Sequence, residues 1–459
     1  MTAMGTEENA TPSPFVQRAR GLARALEAPA PTLALAAFRV LFGAIMTIAA
    51  ARYVAMGWVD TILVDPEYHF TYANLRWVRP LGGHLGVTLH LCLVGASALA
   101  LALGLKVRLS AGIFFLAFTW LELIEKAAYL NHYYLVSLLA LLLTVVRTDQ
   151  ALALLPEKTS SAHPTLWRDY WLFRGQMILV YLFASLAKIN GDWLLRGEPL
   201  HTWLQAHQGL PILGSWLALP EVAIAMSWGG MLFDGTIWLF LLHPRTRPWA
   251  FGVALFFHLT VWALFPIGMF SFVMLACLTL FFPPDWPSRL LGRRKDKVFS
   301  PPQQPRWPAK LTGLFMVAWL ALQVAVPLRF LAYPGWVNWT EEGFRFSWRV
   351  MLIEKTGRLE YRVVEPGSDK QWRVYPRHLL TPLQHKMLVT QPDMILEFAH
   401  ELANRHEAKH GIRPAVYAES FVSLNGRPAQ RMIDATMDLA DEPLDTFAHR
   451  PWILPLKPR

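Results

Sequence analysis

Between residues 31 and 333 the chain runs nine times through an apolar stretch as long, or nearly as long, as a bilayer is thick. In hydrocarbon every backbone N–H and C=O must be satisfied within the protein, so runs of this kind that do not alternate are read as spanning helices. They fall at 33–56, 84–105, 109–127, 132–147, 170–187, 221–243, 249–265, 267–283 and 311–332. With 54% hydrophobic and 17% charged residues, the composition excludes an ordinary soluble enzyme.

A net charge of +10 would suggest nucleic acid in a soluble chain, but here its distribution reads as topology, and no nucleic acid is expected. Residues 1–30 are polar, interrupted by proline and without a signal-peptide core, which predicts a cytoplasmic N-terminal segment. With that end inside, the inner segments hold Arg18, Arg20, Arg24, Lys106, Arg108, Arg147, Lys158, Arg168, Arg174, Arg245, Arg247 and the basic run from Arg289 to Lys310. The outer ones hold Arg76, Arg79, Lys126, Lys188 and Arg196. This asymmetry fits nine spans, 31–333 as the membrane domain and 334–459 as an extracytoplasmic domain.

The tail has a different texture. GRLEYRVVEP alternates as a half-buried strand does, with FRFSWRVML before it as its expected partner. Asp393 is placed to cap a helix bearing Ile395, Phe398, Ala399 and Leu402, which Gly411 closes. AVYAESFVSL and PAQRMID, joined by Asn425-Gly426, read as a hairpin. The expected fold class is therefore a multi-span α-helical integral membrane protein with a C-terminal strand-rich α+β domain.

Lys188 ends the run FRGQMILVYLFASLAKINGDW, where hydrocarbon gives way to water. A lysine there either snorkels as an anchor beside Trp193 or has chemistry to do. Asn131, His132 and FSFVM, from Phe270 to Met274, are expected at the same level, and His258 lies deeper. Desolvation favours a neutral amine, so a lysine among aromatic and methionine side chains suits a base acting on a lipophilic weak acid. Arg39 and Asp234 both fall in hydrocarbon, and each is expected to be held in an ion pair or hydrogen-bonded network with a structural role. HEAKH, from His406 to His410, matches a zinc-protease pattern, but Gly411 follows at once; it is read as a solvated helix end, with no metal expected. Cys92 and Cys277 lie in different spans, so no disulfide is expected.

FRVLFG, NHYYL, FRGQMILVYLFASLAKINGDW, GGMLFDG, FPIGMFSFVML, NWTEEGFRFSW and QRMID, in this order from residue 38 to 434, together resemble the vitamin K-dependent gamma-carboxylase family and its bacterial relatives with a horizontally transferred transmembrane domain. The resemblance implies an enzyme in the bacterial inner membrane that converts reduced vitamin K to its epoxide with oxygen. It couples this to proton removal from a glutamate of a protein or peptide substrate and addition of carbon dioxide. It also implies Lys188 as the base toward the hydroquinone and His132 for the carboxylation step. Asn131, Tyr181, Phe270 and Met274 match positions around the quinone, and His258 joins them as a binding residue. Vertebrate members carry two lysines where this chain has Ala187-Lys188, and tie the outer domain down with a disulfide that two cysteines within spans cannot make. Glu341, Glu342 and Arg345 alter the segment associated with the glutamate substrate. Two other functions therefore stay open: a quinone epoxidase without carboxylation, and a non-catalytic quinone- or lipid-binding module.

Overall fold

The computed structural model describes residues 13–155, 165–290, 309–444 and 447–458. The expected cytoplasmic segment up to residue 12, Lys158 and the proline-rich loop at 299–308 lie outside the described residues. Helices occupy the nine expected stretches: Leu33–Ala55, Gly83–Leu103, Val107–Ile124, Asn131–Val145, Trp167–Lys188, Pro220–Leu242, Arg247–Leu264, Phe270–Leu278 and Ala309–Leu328. Among the described residues six helices are long and apolar enough to cross a membrane, whereas Asn131–Val145 and Phe270–Phe281 are shorter.

Small residues set how closely these helices pack, because lipid supplies no hydrophobic drive between them. A Cβ on Gly43 would lie 2.6 Å from the backbone nitrogen of Ala102 and 2.7 Å from the carbonyl oxygen of Ala98, so the first two spans touch backbone to backbone. Gly235 brings Pro220–Leu242 against a side chain of Trp167–Lys188, since a Cβ there would come within 2.9 Å of Ser185 Oγ. Ser185 Oγ in turn donates to the Met231 carbonyl at 2.9 Å, closing the two helices together one turn before Lys188.

The tail folds as one antiparallel sheet of order β2-β1-β3-β4, formed by β1 (Lys355–Val364), β2 (Gln371–Val374), β3 (Ala415–Leu424) and β4 (Gln430–Arg431). Its inner face, with Leu359, Tyr361, Val416, Ala418 and Val422, packs on Ile395, Phe398, Ala399 and Leu402 of the helix Pro392–His410. Asn425 and Gly426 adopt φ of +49° and +71°, the left-handed pair that a two-residue hairpin turn needs. Gly411, at φ +72°, closes the helix.

Two local expectations are corrected. FRFSWRVML is not a strand: Phe346, Trp348 and Met351 take positive φ, and the segment turns so that Trp348 is buried against the bundle while β2 and β3 flank β1. Asp393 does not cap its helix, whose N-cap is Gln391 without a side-chain bond. Its carboxylate is taken by stronger partners, Arg345 Nη1 at 2.6 Å and Lys126 Nζ at 3.1 Å.

These ion pairs belong to a wider clamp between tail and bundle. Glu397 accepts from Lys126 Nζ at 2.7 Å, from the Thr71 backbone at 2.8 Å and from Tyr68 Oη at 3.1 Å. Gln384 donates to Glu125 at 2.8 Å, and Arg427 Nη2 to Asp192 at 2.7 Å. Burial alone would raise the Asp393 pKa, but Arg345 and Lys126 hold it well below the usual carboxylate range. Among the described residues no cation pairs with Glu125, and burial pushes it up to about 7 against the bonds from Ala127 and Gln384. Cys92 and Cys277 are both free.

Candidate functional site

Lys188 is the last residue of its helix and is 6% exposed. Its Nζ donates to the Ala184 carbonyl at 3.2 Å and to Asp234 Oδ2 at 2.8 Å, and lies 5.3 Å from the centre of the Trp193 ring. Trp193 is fixed in turn by Nε1 donating to the Ser227 carbonyl at 2.7 Å. Asp234, read from sequence as a structural buried charge, is thus the partner of the candidate base. Arg39 lies elsewhere, donating to the Ala151 and Leu152 carbonyls at 3.3 and 2.5 Å.

The amine and its carboxylate border a cavity of about 100 Å³ walled by apolar and aromatic side chains, Val180, Phe257, Phe265, Phe270 and Met274 among them. Tyr181 and His258 line the same cavity and bond to each other, Tyr181 Oη to His258 Nε2 at 2.9 Å. His258 is 2% exposed, and its Nδ1 is buried without a protein partner. An unpaired imidazole nitrogen in an apolar cavity is a demand for a hydrogen bond that a ligand can meet. The cavity therefore offers two polar features, Lys188–Asp234 and Tyr181–His258, between walls suited to a flat apolar body.

Asn131 and His132 line a neighbouring chamber of about 380 Å³ between bundle and tail. Phe270, Val350 and Met351 belong to both chambers, so the predicted residues are distributed over two compartments with a common wall. The His132 ring stands 5.6 Å from that of Phe270. Asn131 accepts from Tyr129 Oη at 2.9 Å and donates to the Arg349 carbonyl at 3.1 Å, which fixes the irregular 344–353 segment over the bundle. Arg345, Arg349, Lys355 and Lys386 bring cationic groups to the larger chamber, with Glu341 and Glu354 opposing them. Burial lowers the Lys355 pKa while Glu341, 2.7 Å away, pulls it back up.

Sequence reading missed Gly235 and Ser185, whose contact brings Asp234 to Lys188; the small residue beside a buried aspartate in LFDG was the available signal. In HEAKH the His406 and His410 rings lie 4.5 Å apart, tilted by 35°, and His406 lies 4.9 Å from Trp372. Among the described residues no group of three or more His, Cys, Asp or Glu side chains is placed to hold a metal.

Residues 28–286 match the family model of the HTTM domain, and residues 308–459 match that of the vitamin K-dependent gamma-carboxylase lumenal domain. No solved structure matches the chain significantly.

Proposed function

From the chain's membership of the vitamin K-dependent gamma-carboxylase family, we propose that it oxygenates vitamin K hydroquinone to the epoxide and couples this to deprotonation and carboxylation of peptidyl glutamate. The observation that carries the proposal is the buried Lys188–Asp234 pair on the wall of an apolar, aromatic cavity. Those residues fit a hydroquinone: the walls suit its ring and isoprenoid root, and the open Nδ1 of His258 and the Tyr181 hydroxyl suit an oxygen remote from Lys188. When bound, the hydroquinone with oxygen supplies a base stronger than any side chain, and carbon dioxide is the second co-substrate.

The chain's own part is to position, to move one proton and to keep water out. The accepting state of the pair is a neutral amine beside the Asp234 carboxylate. A proton taken by Lys188 Nζ from a ligand hydroxyl completes the ion pair seen at 2.8 Å, so Asp234 stabilises the product of the transfer. Phe265, Phe270 and Met274 exclude water, which protects a strongly basic reaction. We assign His132 to the carboxylation step at the chamber shared with the tail, where a substrate carboxylate would meet cationic groups. We place that chamber on the extracytoplasmic side of a bacterial inner membrane, in keeping with the basic residues of the opposite loops.

Epoxidation without carboxylation is the second reading, and one observation favours it. Two cations of the larger chamber are already neutralised, Lys355 by Glu341 and Arg345 by Asp393. Purified protein supplied with reduced vitamin K, oxygen, labelled bicarbonate and a glutamate peptide separates the readings. We expect epoxide and labelled peptide from wild type, neither from Lys188→Ala, and epoxide outlasting carboxylation in His132→Ala. Unchanged epoxide formation in folded Lys188→Ala protein refutes the role given to that lysine, and epoxide without label in wild type selects the second reading.

A further inference from the structure

A third chamber, of about 210 Å³, lies among the Leu33–Ala55, Gly83–Leu103, Val107–Ile124 and Asn131–Val145 helices and the 266–269 turn. It shares His132 with the chamber under the tail but has no lining residue in common with the Lys188 cavity. Met46, Ala50, Leu91, Val94 and Phe118 make most of it apolar.

Of its charged groups, Glu125 is already bonded at both oxygens, to the Ala127 amide and to Gln384, whereas Arg52 and Glu122 have bonding capacity to spare. Arg52 stands 4.9 Å from the Trp58 ring, and its guanidinium meets no hydrogen-bond acceptor or carboxylate among the described residues. Other arginines in the spans are bonded to the protein, among them Arg39 to Leu152 O, Arg108 to Thr144 O at 3.0 Å, Arg174 to Leu280 O at 2.9 Å, Arg247 to Leu241 O at 2.8 Å and Arg329 to Val326 O at 2.7 Å. Glu122 Oε2 accepts from Ser137 Oγ at 3.0 Å, while its Oε1 is buried without a partner. Tyr133 lines the chamber with them.

A guanidinium lacking an anion and a carboxyl oxygen lacking a donor, on apolar walls at the end of two spans, define a ligand with matching parts. It carries an anionic group for Arg52, a hydroxyl that donates to Glu122, and a hydrocarbon chain. We infer that this chamber binds the headgroup and first chain carbons of an anionic glycerolipid, the remainder of the chain staying in the bilayer. An arginine at the membrane interface is suited to a phosphodiester because its planar fork meets two oxygens at once. The site uses none of the residues assigned to proton transfer and does not rest on the proposed reaction.

Native mass spectrometry of delipidated full-length protein tests this, titrated with phosphatidylglycerol and with diacylglycerol of the same chains, which keeps a hydroxyl and lacks the phosphodiester, and with inorganic phosphate as competitor. Wild type is expected to retain phosphatidylglycerol about tenfold more tightly than diacylglycerol, the scale of one charge-assisted contact. Arg52→Gln is expected to remove that preference. Ala49→Phe, which fills the chamber while leaving Arg52 in place, is expected to lose both lipids from this site. Equal retention of the two lipids by wild type, or a preference that survives in either variant, overturns the inference. Displacement of phosphatidylglycerol by millimolar phosphate assigns the site to a free anion and overturns the lipid. If Arg52→Gln does not fold, Ala49→Phe alone decides.

Discussion

Replacing Asp192 with asparagine should loosen the tail from the bundle with almost no change of shape. The Asp192 side chain is 1% exposed and takes both terminal nitrogens of Arg427, with Nη2 at 2.7 Å, and Asn425 Nδ2 at 3.2 Å. Removing one member of such a buried pair costs about 3–5 kcal/mol, because the other charge stays buried. Asparagine keeps one acceptor oxygen, worth about 1 kcal/mol, which leaves a loss of about 2–4 kcal/mol. At 1.4 kcal/mol per decade, that raises the population of the opened hairpin by about 30- to 1,000-fold. Hydrogen exchange across 415–431 in nanodiscs reads this directly, since the Asn425 amide is held by the Glu354 carbonyl at 2.9 Å. The double change Asp192→Leu with Arg427→Met removes the buried pair, leaves Arg196, 3.3 Å from Asp192 but 39% exposed, to water, and should recover most of the loss. Exchange accelerated less than threefold in Asp192→Asn, or a double variant as loose as the single, refutes the assignment of this pair as an anchor.

Asp234→Asn leaves Lys188 in place but removes the charge that stabilises the transferred proton; epoxide kcat is expected to fall about 10²–10³-fold with the hydroquinone KM within about threefold. A drop of less than fivefold would show that Asp234 only packs. Gly235→Val drives side-chain carbons against Ser185 Oγ, where even a Cβ stands at 2.9 Å, so the helices part at the Lys188 pair. Epoxidation should fall at least tenfold with the protein still folded, and Ser185→Gly in the same chain should restore part of it; no rescue sinks the steric account. Glu125 carries a pKa of about 7 when docked, against about 4.3 in water, so the docked state holds the extra proton between those values. Its contribution is therefore complete below about pH 4 and is lost as pH rises through about 7. Melting temperature should decline from pH 6 to pH 8 in wild type and decline less in Glu125→Gln, and identical slopes would exclude Glu125 as the source.

Apolar run length placed the spans, because hydrocarbon admits few alternatives to a helix, and the hairpin was legible in Asn425-Gly426 because few other pairs tolerate that turn. The pairing of β1 was not. FRFSWRVML has strand-like residues, but its aromatics bury against the bundle, and that tertiary contact overrides local propensity. Asp393 shows the same limit at a single position: a first-turn aspartate suggests a cap until a guanidinium and an ammonium from distant segments compete for it. For the site, Lys188 stood out as an amine at the end of an apolar helix, whereas its pairing with Asp234 spans 46 residues and goes with a close approach of two helices at Gly235 and Ser185. The division of Lys188 and His132 between two chambers was equally hidden, since depth along a helix carries no information about which face a neighbour covers.

The clamp between tail and bundle uses carboxylates, guanidinium groups, ammonium groups and amides, and both thiols stay outside it. Its assembly consequently requires neither an oxidant nor a disulfide isomerase. The two parts can seat in a reducing or an oxidising compartment alike, and excess thiol reductant should leave the joint untouched. What such a joint responds to instead is charge substitution, since its buried pairs are little screened by salt. The chain therefore carries its C-terminal part on a fastening that is portable between redox environments.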